Sequence, residues 1–262
     1  MIINDYNHFY NNSYHEKCQG GDVLRTDRWV QFIKPEPANM KILDIGCGPG
    51  EHIKAWLKNN EVHGVDIVDE YLNSSEKNGY FIHKCNCEEC DLPFHDECFD
   101  IVVCTDVFEH LFNPQKVIEN IHRVTKIGGL LLASVPNHFH LQQCVSMVKG
   151  NGIILKWSSH QRFDVWDYFH IRFFTSRSFE KFIEKADFRI KEKLYDNFLS
   201  DMPYVFPGKI PWKLQYLFYI SLKRAFFQKY PDLFVSDFPI IAEKVSTSGA
   251  NHLEMGRSMP GS

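Results

Sequence analysis

The stretch Lys41-Ile-Leu-Asp-Ile-Gly-Cys-Gly-Pro-Gly50 decides the fold. Its apolar first half predicts a buried strand over 41–46, and a helix is predicted to follow over 51–59. Glycines at positions 46, 48 and 50 let the backbone turn sharply and approach a ligand without side-chain clash. The pattern therefore predicts a strand, a glycine-rich turn and a helix, with a small ligand bound against the turn.

Two acidic residues narrow the class of ligand. Dinucleotide-binding proteins have Gly or Ala where this chain has Glu51, and Asp44 lies two residues before the first glycine. Both carboxylates would repel a pyrophosphate, which argues against a nicotinamide-dependent dehydrogenase. A ligand with an ammonium and a sulfonium, but no phosphate, is compatible with both acids, and S-adenosylmethionine has this charge distribution.

Strands and helices alternate along most of the chain. The predicted strands are continuous apolar runs, as expected when helices cover both faces of a parallel sheet. This pattern favours a doubly wound α/β fold, in which ligands bind at the carboxyl ends of the strands. Further strands are predicted at 61–66, 81–85, 99–105, 129–135, 188–195 and 239–245, and helices at 22–33, 69–77, 114–125, 176–186 and 212–229.

Several motifs follow the glycine turn in a characteristic order. They are Val62-His-Gly-Val-Asp66, Phe99 to Asp106, Glu109-His110 and Gly128-Gly129 before an apolar strand. This set resembles the class I S-adenosylmethionine-dependent methyltransferases of the type 11/12 group, well over 28–137 and weakly over 170–190. The resemblance implies a Rossmann-like seven-stranded sheet, mostly parallel with one antiparallel strand, and helical and aromatic inserts that form a lid. It also implies S-adenosylmethionine as cofactor and S-adenosylhomocysteine as product.

The resemblance places the cofactor at the carboxyl ends of the first four strands. Asp44 is expected near the methionine ammonium, and Asp66 is expected to accept the ribose hydroxyls. Ile67 is expected to pack on the adenine and Asp106 to lie near the sulfonium. Asn86 stands where the family often has an acid that contacts the adenine amino group, so that contact stays open. The predicted cofactor-binding residues are Asp44, Gly46, Cys47, Gly48, Gly50, Asp66, Ile67, Asn86, Cys87 and Asp106.

Three histidines are candidates for the catalytic base: His110, His138 and His170. All three follow predicted strand ends on the cofactor edge. An unperturbed imidazole titrates near pH ~6.5 and can accept a proton at neutral pH. A base is needed only if the acceptor is a hydroxyl or a protonated amine. The alternative is that they are structural histidines, and Glu109 reads as an acid that complements the start of a helix.

Acceptor-binding residues are predicted in the N-terminal segment and after the fifth strand. Arg172 can hold a carboxylate or phosphate with two hydrogen bonds. The alternative for His170 and Arg172 is that they join the insert to the sheet. The predicted set is Tyr14, His138, His140, His170 and Arg172.

The chain contains 8 cysteines, several of them close together around Cys85, Cys87 and Cys90. Structural zinc would need two well-spaced pairs of ligands. Cys85 is predicted to point inward from a strand, and the loop after it overlaps the predicted adenine pocket. Free thiols in a cytoplasmic protein, without a bound metal, are therefore expected.

Length and composition favour a single domain over 1–246, followed by a disordered or non-native tail over 247–262. Within the domain, 1–34 is a predicted N-terminal cap, and 138–170 and 197–237 are predicted acceptor-side inserts. The net charge of -4 gives no sign of nucleic-acid binding, and no apolar run reaches membrane length.

The leading functional hypothesis is methyl transfer to an oxygen or nitrogen atom of a small molecule or glycan. A sugar or sugar phosphate of a surface polysaccharide is favoured as acceptor, and a natural-product or quinone-type acceptor is the alternative. A hypothesis of another class is a regulatory protein that binds S-adenosylmethionine without catalysis. The intact glycine turn and Asp66 argue for the enzyme.

Overall fold

The computed structural model describes residues 29, 32–51, 53–150, 170–195 and 212–246. Seven strands form one sheet: β1 Lys41–Ile45, β2 Glu61–Asp66, β3 Phe81–Lys84, β4 Phe99–Thr105, β5 Thr125–Ser134, β6 Phe188–Lys193 and β7 Ile240–Lys244. Within these described ranges, five α-helices accompany them: α1 Asp69–Lys77, α2 Pro114–Val124, α3 Leu141–Val148, α4 Ser176–Glu184 and α5 Trp212–Phe226.

The strands lie in the order β3-β2-β1-β4-β5-β7-β6. Neighbours from β3 to β5 are parallel, and β7 is antiparallel to both β5 and β6. The predicted fold class, including an antiparallel strand inserted between its neighbours, is confirmed. The chain runs outward from β1 to β3 and then returns to β4, so the strand order reverses between β1 and β4. Ligands of such sheets bind beside this reversal.

Alternation along the strands divides the core between the two faces of the sheet. Leu43 and Ile45 of β1 pack on one face, with helices α2 and α4. Ile42 packs on the opposite face, with Trp29 and Trp56. Each fully buried side chain of this size contributes about 1.5–3 kcal/mol of hydrophobic free energy. Trp29 also donates from Nε1 to Thr105 Oγ1 at 2.8 Å, which ties the segment before the sheet to the end of β4.

The helix predicted over 51–59 is wrong. A short 3₁₀ helix, Lys54–Lys58, takes its place. Trp56 N donates to Ile53 O, and Asn59 N donates to Trp56 O, both across three residues. Ile53 and Trp56 are buried. A 3₁₀ helix has three residues per turn and lines up residues at this spacing, so it buries both side chains in the few residues available before β2.

The segment after β5, where the resemblance implies a helical and aromatic insert, contains helix α3, although the residue pattern predicts no helix at these positions. The buried positions of this helix include Gln143 and Ser146, which are polar. Hydrophobic periodicity does not detect a helix whose buried side is polar. The N-terminal cap up to residue 28, the rest of the first insert over 151–169, residues 196–211 and the tail lie outside the described residues. The domain limits and the lid therefore stay predictions.

Candidate active site

The glycine turn leaves β1 at the point where the strand order reverses. Its three glycines have positive φ angles of 65°, 52° and 76°, at Gly46, Gly48 and Gly50 respectively. Side chains rarely adopt this conformation. A Cβ atom at Gly46 would lie 2.6 Å from Cγ2 of Val107, whereas one at Gly48 would meet no protein atom within 4 Å. Gly46 is therefore required for close packing, and Gly48 keeps the outer side of the turn open.

Residues from two later elements fix the turn. Asp66, at the end of β2, accepts a hydrogen bond from Gly48 N through Oδ2 at 3.0 Å. Its Oδ1 accepts from the N–H groups of Ile67 and Val68 at 2.7 and 2.9 Å. Ser75 of α1 donates from Oγ to Gly48 O at 2.7 Å. The Asp66 carboxylate thus orders the turn in addition to its predicted role toward the ribose.

Asp44 lies on β1 with its side chain buried. Tyr80 donates from its hydroxyl to Asp44 Oδ2 at 3.3 Å. Burial raises the pKa of Asp44 to about 8; the Tyr80 hydrogen bond opposes the rise and the nearby Asp66 adds to it. In the ligand-free protein Asp44 is therefore mostly protonated at neutral pH. A protonated Asp44 would not repel a pyrophosphate, so of the two acids the exposed Glu51 is the one that would.

The remaining predicted cofactor residues lie at the same sheet edge. Asp106 directly follows β4, with a φ of 54° that is unusual for a residue other than glycine. Its Oδ1 accepts from Ser134 Oγ at 2.8 Å, which links the ends of β4 and β5. Ile67 follows β2, and Asn86 lies two residues beyond β3 and accepts from Glu88 N at 3.1 Å. The predicted adenine contacts of Ile67, Asn86 and Cys87 stay predictions.

Val107 connects the glycine turn to a group of titratable side chains. It packs against Gly46 and accepts a hydrogen bond from His110 N at 3.0 Å, within the 3₁₀ helix Phe108–His110. The backbone N–H groups of Ile171 and Arg172 donate to Glu109 O at 3.0 and 3.1 Å. These bonds bring residue 170 to the end of β4, although 60 residues separate it from His110 along the chain.

The three predicted catalytic histidines come together at this point. His138 Nε2 and His170 Nδ1 are 2.9 Å apart, and the rings of His110 and His170 are 4.7 Å apart between centroids. Oε1 of Glu109 lies 3.7 Å from His110 Nε2 and 3.9 Å from His170 Nε2. We call Glu109, His110, His138 and His170 the Glu–His cluster.

Glu109 is the member of this cluster that sequence reasoning misses. Its side chain is only 1% exposed and faces two imidazoles, so it is more than an acid at the start of a helix. The adjacent pair Glu109-His110 is visible in the sequence, but its pairing with a histidine 60 positions away is not.

Arg172 has a structural role that favours the alternative given for it. Its Nε donates to Leu111 O at 2.7 Å, and its terminal NH2 group donates to Phe112 O. These bonds hold residues 170–175 against the loop after β4, so anion binding by Arg172 would have to use its remaining N–H groups. His140 is buried at the residue before α3, and its role toward an acceptor stays a prediction. Tyr14 lies outside the described residues.

The cysteines do not converge on a common point within the described residues. Cys85 directly follows β3, which ends one residue earlier than predicted, and is partly buried against the core. The described cysteines are unbridged. Among the described residues, the donor atoms of three potential metal ligands do converge: Glu109, His110 and His170.

Comparison with known proteins gives matches over the region that contains the glycine turn and Glu109-His110. Residues 43–133 match the methyltransferase domain family. The chain is 39% identical over 106 residues to an uncharacterised protein of Methanocaldococcus jannaschii, covering 40% of this chain and 49% of that one. It is 30% identical over 122 residues to a ubiquinone biosynthesis O-methyltransferase of Shewanella sp., covering 44% of this chain and 51% of that one. The chain thus spans about half the length of these two relatives.

Solved structures extend the likeness in fold to nearly the whole chain. A SAM-dependent methyltransferase of Archaeoglobus fulgidus superposes with a TM-score of 0.62 at 20% identity, covering 90% of this chain and 100% of that one. A further SAM-dependent methyltransferase, from Thermotoga maritima, has a TM-score of 0.55 at 17% identity, covering 90% of this chain and 96% of that one. Residues 43–133 thus match a methyltransferase domain, and the chain shares its fold with S-adenosylmethionine-dependent methyltransferases of known structure.

Proposed function

We propose that the protein transfers a methyl group from S-adenosylmethionine to a hydroxyl oxygen of a small molecule or glycan. The observation that carries this proposal is the placement of the Glu–His cluster beside the glycine turn, with Val107 in contact with Gly46 between them. Methyl transfer requires the acceptor atom to be held in line with the methyl carbon at ~3 Å. A hydroxyl acceptor must also lose its proton, and the cluster supplies groups suited to that task.

The residues of the turn are compatible with the cofactor. Gly48 leaves room on the outer side of the turn, and Asp66 offers a carboxylate whose oxygens have capacity for further donors. S-adenosylmethionine supplies an electrophilic methyl group on a sulfonium. The chain itself contributes binding, alignment of the acceptor and removal of the acceptor proton.

The surface near the Glu–His cluster is apolar. Phe173 is 41% exposed and packs edge-on against His138, at 4.8 Å between ring centroids. Phe112 and Ile171 are also exposed. An apolar border around a polar centre is typical of sites for small organic ligands. A sugar or sugar phosphate is the first acceptor to test. A quinone-type phenol is the second, in line with the ubiquinone biosynthesis relative.

Calorimetry and turnover test this function together. We expect S-adenosylmethionine and S-adenosylhomocysteine to bind with micromolar dissociation constants, about -7 to -9 kcal/mol, and NAD not to bind. Turnover with a panel of sugars, sugar phosphates, phenols and amines then identifies the acceptor. Absence of binding at millimolar concentration by the folded protein would refute the proposal. Binding without turnover on any acceptor would favour the regulatory alternative.

The affinity for the cofactor is expected to rise with pH between 6 and 8. The ligand-free pKa of Asp44 is about 8, and a nearby ammonium favours the charged carboxylate, so binding releases a proton. The affinity then increases by up to about tenfold per pH unit over this range. Asp44→Asn should flatten the slope. Calorimetry at pH 6, 7 and 8, in buffers of different protonation enthalpy, measures both the affinity and the protons released.

The same raised pKa has the opposite effect on the stability of the ligand-free fold. Between the unfolded value near 4 and the folded value of about 8, the native state holds a proton that the unfolded chain has lost. Protonated Asp44 therefore stabilises the fold fully below pH 4. The free energy of unfolding then decreases as the pH rises to about 8. A pH slope of affinity that is identical in wild type and Asp44→Asn would show that the ammonium binds elsewhere.

A further inference from the structure

The donor atoms of Glu109, His110 and His170 converge on one point. One ligand atom from each residue lies within 4.8 Å of the other two. Glu109 and His110 come from the loop after β4, whereas His170 comes from the far side of the first insert, so the group forms only in the folded chain. Glu109 and His110 are buried and His170 is partly buried.

The distances between these donor atoms are close to those between two ligands of one metal ion. Donor atoms about 2.1 Å from a shared ion, at angles of 90–110°, stand roughly 3.0–3.4 Å apart. Glu109 Oε1 is 3.7 Å from His110 Nε2 and 3.9 Å from His170 Nε2. Small side-chain rotations, each moving an atom by less than about 1 Å, would close the set around an ion.

His138 holds His170 in the orientation that such a site needs. With His170 Nε2 directed at the ion, its Nδ1 carries the proton and donates to His138 Nε2, 2.9 Å away. A metal-binding histidine is usually fixed by a hydrogen bond of this kind through its other ring nitrogen. His138 is therefore a positioning residue for His170, and its own proton then resides on Nδ1.

We propose that Glu109, His110 and His170 bind one divalent cation. Two imidazoles and one carboxylate suit Mn²⁺, Fe²⁺, Co²⁺ or Zn²⁺, and leave coordination positions open. From the sequence, no bound metal is expected, but that expectation was based on the cysteines and did not include these three residues.

The role of the cation rests on the proposed function: it activates the acceptor hydroxyl. The acceptor hydroxyl coordinates the ion, which lowers its pKa, and its proton is released to bulk water. The resulting alkoxide forms the new O–CH₃ bond while the S–CH₃ bond breaks, and the electron pair of that bond stays on sulfur, which leaves as a neutral thioether. The carboxylate contributes one negative charge and the two neutral imidazoles contribute none. The divalent ion therefore keeps a net positive charge, which polarises the hydroxyl.

Binding of Mn²⁺ to protein treated with a chelator and then desalted tests the site without turnover. Mn²⁺ is suitable because it prefers oxygen and nitrogen to the thiolates that this chain also offers. Electron paramagnetic resonance of free Mn²⁺ should show one ion bound per chain. Glu109→Gln and His170→Asn should each weaken binding at least tenfold, and His138→Asn by about 10- to 100-fold.

His122→Gln is the matched control, because His122 lies on α2 and packs against Phe188 of β6, away from the cluster. It should bind Mn²⁺ like the wild type. No bound Mn²⁺ at millimolar concentration, or equal affinity in Glu109→Gln and His122→Gln, would overturn the proposal. His170→Asn serves if Glu109→Gln does not fold.

Calorimetry with S-adenosylmethionine separates this proposal from the proposed function. Affinity for the cofactor in Glu109→Gln should stay within about threefold of wild type, because the carboxylate lies against His110 and His170. Mn²⁺ binding without cofactor binding would leave the metal site standing and refute the function. The converse result would refute the metal site alone.

Discussion

Gly46→Ala is expected to lower the free energy of unfolding by about 2–5 kcal/mol and to reduce cofactor affinity at least 30-fold. Two costs combine. A left-handed backbone at a residue with a Cβ costs about 1–2 kcal/mol, and a Cβ forced against packed atoms costs about 1–3 kcal/mol. The Cβ would stand 2.6 Å from Val107 Cγ2, so either the turn or the loop after β4 must shift. Urea unfolding and calorimetry measure the two effects.

Two further variants separate the two costs. Gly128→Ala, with a φ of 78° and no atom within 4 Å of its Cβ, carries the backbone cost without the clash and lies away from the turn. Gly46→Ala combined with Val107→Ala removes the methyl group that clashes, and should recover part of the loss. If Gly46→Ala is no less stable than Gly128→Ala and binds the cofactor normally, the contact between turn and loop has no energetic importance.

His170→Ala is expected to lower kcat by about 10²–10⁴ while leaving S-adenosylmethionine affinity nearly unchanged. His170 is the central member of the Glu–His cluster, since it contacts His138 and His110 and lies 3.9 Å from Glu109. Without His170, the cluster can no longer deprotonate the acceptor hydroxyl, whether this histidine takes the proton itself or helps to hold a cation. The acceptor that turns over in the panel is used for the measurement.

His122→Ala is the control for His170→Ala, because it removes a partly buried histidine that packs against Phe188 of β6, and it should change kcat little. Melting temperatures of both variants separate lost chemistry from lost stability. Near-native turnover by His170→Ala, on an acceptor that is a hydroxyl, would exclude a chemical role for the cluster. Alignment alone, on an amine that is already neutral, would then be the better account.

The sheet could be predicted from the sequence because its strands are continuous apolar runs separated by turn residues. The glycines of the turn were equally visible, since only a backbone with positive φ demands them at this spacing. The 3₁₀ helix at 54–58 and helix α3 were not, for different reasons. The first is shaped by the short distance to β2, and the second buries polar residues.

The candidate site was predicted in part. Each of His110, His138 and His170 could be named from its position after a strand, but their convergence depends on the backbone hydrogen bonds from residues 171 and 172 to Glu109. The contact of Tyr80 with Asp44 and the bond of Ser75 to the glycine turn join residues 36 and 27 positions apart. Contacts at such separations leave no local pattern in the sequence.

The position of β7 has a consequence for how the chain acquires its structure during synthesis. Chains are made from the N-terminus, yet β7, the last described strand, lies between β5 and β6. Until Ile240–Lys244 is made, β5 keeps an open edge, and β6 lacks the strand that it pairs with in the described part of the sheet. Pairing Leu130 with Glu243 closes a loop of more than a hundred residues, a slow kind of step. A nascent chain that stalls before β7 therefore exposes an apolar strand edge, the feature by which unfinished proteins aggregate or are bound by chaperones.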